Sequence, residues 1–207
     1  MMKKNYTGII PEQNSGKAID AESSVELNNV EDARAFFSVV KKRLQNINEW
    51  HELAGDLSAK FQLVDKTGKE INREIQKGDY FKIDIPGPGT QSGDGYDWVQ
   101  IEEIESLSTE DVESYGLRVR PSQNPQDQDH NREISHFYSP ESTSSFTVTR
   151  EKNKVTAGIY DRNTKPNKAA ESIPDKVRDA IVGVAGILSF SKIQWKALIH
   201  GLIQKER

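Results

Sequence analysis

The sequence predicts an α+β domain in which an antiparallel β-sheet of about six to eight strands packs against an N-terminal helix and a long C-terminal helix. Three observations support this fold class. Apolar residues recur at helical spacing between Asn29 and Ile47. From Ala59 to Tyr160 they alternate with polar residues in short runs, which is the period of a half-buried strand. After Asn163 the spacing becomes helical again.

The first predicted helix has a start signal and an apolar face. Asn29 is a common N-cap residue, and Glu31 and Asp32 follow in the first turn, where the helix dipole favours acids. The apolar positions form one continuous stripe: Val30, Ala33, Phe36, Phe37, Val40, Leu44 and Ile47. We expect a short strand at residues 25–27 to precede this helix.

Composition limits the class of protein. The chain has 207 residues, of which 34% are hydrophobic and 29% charged, so a single core is the default expectation. We expect a flexible lead-in at residues 1–23 and one domain at residues 24–205. The net charge of −4 argues against a nucleic-acid partner bound by bulk charge. The absence of cysteine excludes disulfides and thiolate chemistry.

The sequence carries no recognised targeting or membrane signal. Residues 1–17 lack the apolar run of a signal peptide. The longest apolar stretch, residues 180–188, is about half the length that a membrane-spanning helix needs. We therefore expect a cytoplasmic protein without a membrane span.

The most distinctive segment is a pair of predicted strands at residues 80–85 and 96–104, joined by a Gly/Pro-rich loop at residues 86–95. Proline cannot donate to a strand ladder and glycine accepts positive φ, so the loop interrupts the alternation on both sides. Further strands are predicted at residues 59–64, 71–75, 114–120, 134–138, 145–150 and 155–160.

The C-terminal helix is predicted to begin at Ser172, Pro174 and Asp175, which together are typical of a helix N-terminus. A small-residue face at residues 183–186 favours close packing against the sheet. We expect the helix to break near residues 190–191 and to continue in a segment that contains Trp195.

No motif in the chain predicts catalysis. His51 and Glu52 begin like a zinc metalloprotease helix, but Gly55 stands where the second histidine is required. The glycines of loop 86–95 are not followed by the Lys and Ser/Thr of a phosphate-binding loop. We expect no cofactor and no metal, and binding rather than enzymatic activity. A hydrolase or cyclase would require His51 or His136 to face a pocket beside a carboxylate.

The candidate ligand-binding residues are aromatic or imidazole side chains from both helical regions and the sheet. A ligand pocket needs apolar walls that converge with a few polar groups. The tryptophans of the two helical regions and of the sheet are candidates for such walls. The predicted set is Trp50, His51, Tyr80, Trp98, His136, Tyr138 and Trp195.

The order of elements resembles the helix-grip fold of the START or Bet v 1-like superfamily. The segments that carry this likeness are SVELNNVEDARAFF, INEWHELAG, the strands of residues 59–160 and VRDAIVGVAGILSF. The resemblance implies a curved sheet that grips the last helix over a cavity for a small apolar or amphipathic molecule. We therefore expect non-catalytic binding of such a ligand.

A second interpretation starts from KGDYFKI and DWVQIEEI, which are similar to paired strands of SH3-like barrels. It predicts a protein-interaction module that uses loop 86–95 and the surface around Tyr80 and Trp98. The two hypotheses differ in structure: the first requires an internal cavity, and the second requires an exposed aromatic patch beside the loop.

Overall fold

The computed structural model describes residues 5–55, 59–85, 93–127, 134–167 and 183–205, and from residue 183 to 191 it describes the backbone only. The helix start predicted at Ser172, Pro174 and Asp175 lies outside the described residues, as does most of loop 86–95. The side chains of the small-residue face at residues 183–186 also lie outside them.

The predicted α+β fold class is confirmed. The strands are β1 Lys17–Glu26, β2 Lys60–Val64, β3 Tyr80–Asp84, β4 Asp97–Ser108, β5 Val112–Pro121, β6 Thr143–Glu151 and β7 Lys154–Thr164. They form one antiparallel seven-stranded sheet in the order β1-β7-β6-β5-β4-β3-β2. The helices are α1 Val30–Gln45, α2 Trp50–Ala54 and α3 Gly183–Leu202, with a 3-10 turn at Ile47–Glu49 before α2.

The N-terminal region departs from the expectation. β1 begins at Lys17 rather than at residue 25, so part of the expected lead-in belongs to the sheet. Ile19 and Ala21 are its buried residues, and the other positions of this edge strand are mostly polar. That polar composition hides the alternation on which a strand prediction depends.

Two predicted strands do not form. Residues 71–75 contribute no strand: the Ile71 N–H donates to the Leu63 carbonyl of β2 at 3.1 Å, but the Ile71 carbonyl accepts from the side chain of Asn48 at 3.0 Å. Residues 134–138 form a loop with one isolated bridge, between Tyr138 and Pro166. In that loop Asn167 Nδ2 donates to the carbonyls of Ile134, at 2.9 Å, and of His136, at 3.0 Å.

The predicted break in the last helix is also wrong. The helical backbone runs from Gly183 to Leu202 and passes through residues 190–191 without interruption. Serine has lower helix propensity than alanine, but the difference is less than about 1 kcal/mol and tertiary packing overrides it. The last helix is therefore continuous over its described length.

The described helices pack on one side of the sheet, which we call the helix face. Alternate strand positions supply its apolar residues: Phe61, Phe81, Val99, Leu117, Phe146 and Ile159. Trp50 of α2 is fully buried against this face, and its indole Nε1 donates to the Leu44 carbonyl at 3.2 Å. Removal of this apolar area from water is the main stabilisation of the fold.

The opposite side of the sheet, the outer face, carries Trp98, Gly116 and Tyr160 at the alternate strand positions. The N-terminal segment covers part of it. Ile9 lies directly over Gly116, where an added Cβ would be 2.9 Å from Ile9 Cγ2. Ser145 Oγ donates to the Ile9 carbonyl at 3.1 Å and fixes the segment there.

Candidate functional site

A small apolar cavity of about 40 Å³ lies between the helix face and α3. Its sheet wall comes from strands β2 to β6 and includes Phe61, Phe81, Val99, Val119 and Phe146. The loop of residues 136–138 closes one side, and α3 contributes Gln194 and Trp195. The cavity therefore has the position that the helix-grip resemblance implies.

Asn167, which lies outside the loop that carries His136, holds the backbone of that loop in place. Asn167 donates from its amide to the carbonyls of Ile134 and His136, and its backbone N–H donates to the Phe137 carbonyl at 2.8 Å. His136 is 5% exposed and stacks on Phe137 with a ring-centroid distance of 4.4 Å. Because the backbone is fixed, the imidazole has a defined position at the cavity wall.

His136 is neutral. Its Nδ1 accepts a hydrogen bond from the backbone N–H of Tyr138 at 2.9 Å. Burial disfavours the imidazolium and lowers the pKa of His136 to about 3. Since Nδ1 is the acceptor, the proton of the neutral ring is on Nε2.

A second polar group lies where β6 and β7 meet α3. The Asp161 carboxyl is fully buried and accepts from Trp195 Nε1 at 2.9 Å and from Ser144 Oγ at 2.7 Å. Burial raises the pKa of Asp161 to about 6, although these two hydrogen bonds and Arg162 act in the opposite direction. Ser144 and Trp195 both line the cavity, and Asp161 lies behind them.

Contacts with two strands hold α3 over the cavity. The Trp195 ring packs edge-on against Phe146, with centroids 5.3 Å apart and an interplanar angle of 85°. Gln194 Oε1 accepts from the backbone N–H of Ala59, just before β2, at 3.0 Å. Trp195 is only partly buried, whereas Gln194 is buried. The indole is therefore the more accessible of the two helix residues at the wall.

Three predicted site residues, His136, Tyr138 and Trp195, lie together at the cavity. Trp50 lies behind the wall, in contact with residues that form it. Its ring centroid is 5.4 Å from that of Phe61 and 4.8 Å from that of Phe146. Trp50 thus supports the wall from the helix side.

The other three predicted residues lie elsewhere. Trp98 and Tyr80 are on the outer face, because their strand neighbours Val99 and Phe81 point to the cavity. Trp98 is 3% exposed, and its Nε1 donates to the Gly93 carbonyl at 3.1 Å. His51 is on α2 and partly exposed, with Nε2 3.9 Å from Glu52 Oε1. The expected meeting of the three tryptophans around one cavity does not occur.

Sequence reasoning missed Asp161, Ser144 and Gln194. The alternation of β7 contained the signal for Asp161: Val155, Ala157 and Ile159 are buried at every second position, and Asp161 is next in that series. A carboxyl at a predicted core position indicates either a hydrogen-bonded group or a site. No comparable local signal distinguishes Gln194, whose partner is 135 positions away in the chain.

No family model matches the chain, and a search of curated proteins returns no significant match. Solved structures that it resembles include a hypothetical protein from Helicobacter pylori, at 12% identity and a TM-score of 0.46, over 89% of this chain and 87% of that one. A STAR-related lipid transfer protein fragment from Xanthomonas axonopodis has 13% identity and a TM-score of 0.39, over 89% and 86% of the two chains. A ginseng major latex-like protein from Panax ginseng has 13% identity and a TM-score of 0.31, over 86% and 95%.

The order and packing of the described elements define the architecture of the chain. One antiparallel sheet, an N-terminal helical region inserted after β1 and a last helix across the same face form a helix-grip arrangement. This order, a strand, the helical region, six antiparallel strands and the last helix, is the one that the sequence predicts. None of the described helices is both long and apolar enough to cross a membrane.

Proposed function

We propose that this protein binds a small apolar or amphipathic molecule between the sheet and α3, and that it does not transform that molecule. The observation that carries the proposal is the half-open apolar space, which both the sheet and the last helix line. Among the described residues, the side chains with polar atoms that line it are His136, Tyr138, Ser144, Gln194 and Trp195. Apolar walls with a small number of placed polar atoms are typical of ligand sites.

The size of the cavity determines how a ligand enters. Sites for drug-sized molecules enclose roughly 300–1,000 Å³, whereas this space is about 40 Å³. The strands of the sheet wall are fixed by their ladders, so the movable wall is Trp195. Its indole is partly exposed, and one hydrogen bond to Asp161 and the edge contact with Phe146 hold it. A ligand larger than a few atoms therefore displaces this indole.

The state of the two ionisable groups supports binding rather than catalysis. A general base works best with a pKa near the operating pH. His136 has a pKa of about 3, so its imidazole is too weak a base to take up a proton near neutrality. Asp161 has a pKa closer to neutrality, but Ser144 and Trp195 each bond one of its oxygens and separate it from the cavity.

The proposal is tested by native mass spectrometry of the purified protein, together with a thermal-shift screen of lipids and aromatic metabolites. A retained small molecule, or a compound that raises the melting temperature by several degrees, is the expected result, because a binder of the folded state stabilises it. Substitution Trp195→Ala should change the shift that such a compound produces. The control on the same helix is Ile193→Ala, since Ile193 is 66% exposed.

A clean mass with no shift across the screen would contradict the proposal and direct attention to the protein-interaction hypothesis. That hypothesis is less well supported, because Trp98 is buried rather than displayed beside the loop. Tyr80 and Tyr96 are partly exposed near it. A partner pull-down would then be the next experiment.

A further inference from the structure

Strand β1 forms one edge of the sheet, and part of its backbone has no hydrogen-bond partner among the described residues. The Leu27 N–H donates to the Asn153 carbonyl at 2.8 Å, and the antiparallel register of β1 and β7 continues from this pair. Because alternate residues of an antiparallel pair make these bonds, every second residue of β1 points its N–H and C=O groups away from β7. The exposed residues with this orientation are Glu22, Ser24 and Glu26.

The protein itself closes the edge at the opposite end of the sheet. In β2 the Leu63 N–H donates to Asn48 Oδ1 at 2.7 Å, and the Leu63 carbonyl accepts from the Ile71 N–H at 3.1 Å. The N–H of Ala59, next to β2, donates to Gln194 Oε1 at 3.0 Å. Proteins usually cover an edge strand or interrupt it with proline, because its unpaired groups attract other chains. The outward part of β1 contains no proline and is exposed, so it can pair with an added strand.

An open groove of about 570 Å³ lies beside this edge, between β1, α2 and the end of α3. Its exposed lining residues are polar and include His200 and Lys205. A strand added to β1 would direct alternate side chains to this side of the sheet, since opposed residues of neighbouring strands point to the same face. The less exposed lining residues, which would receive them, are small or apolar: Val25, Leu53, Ala54, Ala197, Gly201 and Ile203.

The other side chains of an added strand would lie beside carboxylates. Glu22 and Glu26 project from the outer face, and neither forms an ion pair with any described residue; Glu22 accepts only from the Tyr160 hydroxyl, at 2.8 Å. Opposite charges on opposed positions stabilise strand pairing, and like charges destabilise it. Asp20 projects from the same face of β1, so a second copy paired through β1 would place carboxylates opposite carboxylates. The edge therefore favours a basic strand over a copy of itself.

We propose that the outward edge of β1 and the groove beside it form a docking surface for an extended segment of another protein, in which basic and small apolar side chains alternate. The segment pairs with residues 22–26 as an eighth strand. Its basic side chains lie beside Glu22 and Glu26, and its apolar side chains enter the groove. In this mode the main-chain bonds provide affinity and the alternate side chains provide specificity. The groove and the cavity at His136 share no lining residue, so this surface is independent of the proposed ligand site.

The test uses three acetylated and amidated heptapeptides and the full chain. The first peptide is Lys-Val-Lys-Val-Lys-Val-Lys, and the second has Glu at each Lys position. The third is the first with N-methyl groups on the lysines, whose N–H groups face β1 when lysine lies opposite glutamate. The second and third should each bind at least about fivefold more weakly than the first, because like charges oppose pairing and a methylated nitrogen cannot donate.

The position of the peptide is followed in ¹H–¹⁵N NMR spectra. With the first peptide, the amide signals of Glu22, Ser24 and Glu26 should move, whereas that of Leu63 in the closed edge should not. Ser24→Pro removes one outward N–H and none of the bonds between β1 and β7, so it should weaken the first peptide at least about fivefold. The control Ile193→Ala, at an exposed position of α3 outside the groove, should bind as the wild type does.

Several results would overturn the proposal. One is the absence of binding of the first peptide, and another is equal binding of all three, which would indicate attraction by bulk charge alone. A third is movement of signals in β2 or at the cavity without movement in β1. Dimerisation of the protein through β1 would also contradict it, since the edge would then accept a second copy. If Ser24→Pro does not fold, hydrogen exchange at the Ser24 amide of the wild type replaces it: the first peptide should slow the exchange, and an unchanged rate would contradict the pairing.

Discussion

The two faces of the sheet bury side chains by different means. The helix face is covered by helices, and its core is a cluster of aromatic and aliphatic residues around Trp50. The outer face is stabilised in large part by polar pairs. Glu102 bonds both Arg118, at 3.1 Å, and Arg120, while Arg162 Nη1 donates to Asp20 at 2.7 Å. The apolar space at the candidate site lies on the helix face.

This difference shows why residue type does not identify the site. Trp98 and Val99 are adjacent in β4 and both almost completely buried, yet only Val99 lines the cavity. A one-residue step in a strand changes the face. On the outer face a tryptophan covers the sheet, whereas on the helix face Trp50 and Trp195 support and close a cavity. The following predictions test that contrast.

The largest expected effect is on the helix face. Trp50→Ala should lower the free energy of unfolding by about 3–5 kcal/mol, since the side chain is fully buried among three phenylalanines. Urea denaturation measures the change. The control Ile193→Ala, at an exposed position, should stay within about 0.5 kcal/mol of wild type. A loss below about 1 kcal/mol for Trp50→Ala would mean that the core is centred elsewhere.

The second prediction concerns pH. The pKa of Asp161 is raised to about 6 in the folded protein, from an ordinary value of 3.8, so the folded state binds the proton more tightly than the unfolded chain. The free energy of unfolding therefore falls as the pH rises from about 4 to about 6, by up to about 3 kcal/mol. The Asp161→Asn variant has no ionisable group at this position. Its free energy of unfolding should therefore not show this fall with pH. Denaturation curves from pH 4 to 7 test it, and identical pH profiles for the two proteins would contradict it.

The third prediction compares the roles of Trp195 at the cavity and Trp98 on the outer face. Trp195→Ala removes the donor to Asp161 and should cost about 2 kcal/mol, since a buried acceptor loses its partner. Added indole, whose ring N–H can donate, should restore part of the melting temperature. Benzofuran has the same shape but no N–H and should restore less. Equal effects of the two compounds would show that the hydrogen bond is unimportant, and Trp98→Ala should show no preference between them.

The smallest expected effect is on the outer face. Gly116→Ala places a Cβ 2.9 Å from Ile9 Cγ2, so the N-terminal segment must shift. We expect a cost of about 1 kcal/mol. In an Ile9→Ala background the same substitution should cost less, because the contact no longer exists. Additive costs in the double variant would mean that Ile9 does not pack on Gly116 in solution.

Local signals in the sequence were sufficient for several elements. The N-cap prediction for α1 is confirmed, since Asn29 Oδ1 accepts from the Asp32 backbone N–H at 2.8 Å. Strands β2 to β7 were also predictable, because their apolar residues alternate, whereas most of β1 was missed. The predictions failed where a distant residue decides the backbone: Asn167 holds the loop of residues 134–138, and Asn48 occupies the carbonyl of Ile71.

The candidate site was less predictable than the fold. His136, Tyr138 and Trp195 were chosen for their residue types, and the cavity brings them together only because the 134–138 loop and α3 meet over the sheet. Sequence spacing does not contain that contact. Trp98 and Tyr80 are next to Val99 and Phe81 in their strands and therefore lie on the opposite face of the sheet. Strand periodicity alone could have separated these two residues from the other candidates.

The most direct test of the central claim uses the indole N–H signals of the three tryptophans in a ¹H–¹⁵N NMR spectrum, assigned with single Trp→Phe variants. Acetophenone is added to the wild-type protein up to saturation. If the ligand site lies between the helix face and α3, the Trp195 signal should move most and the Trp98 signal should not move. A shift of Trp98 without a shift of Trp195, or no shift of any indole signal, would contradict the claim.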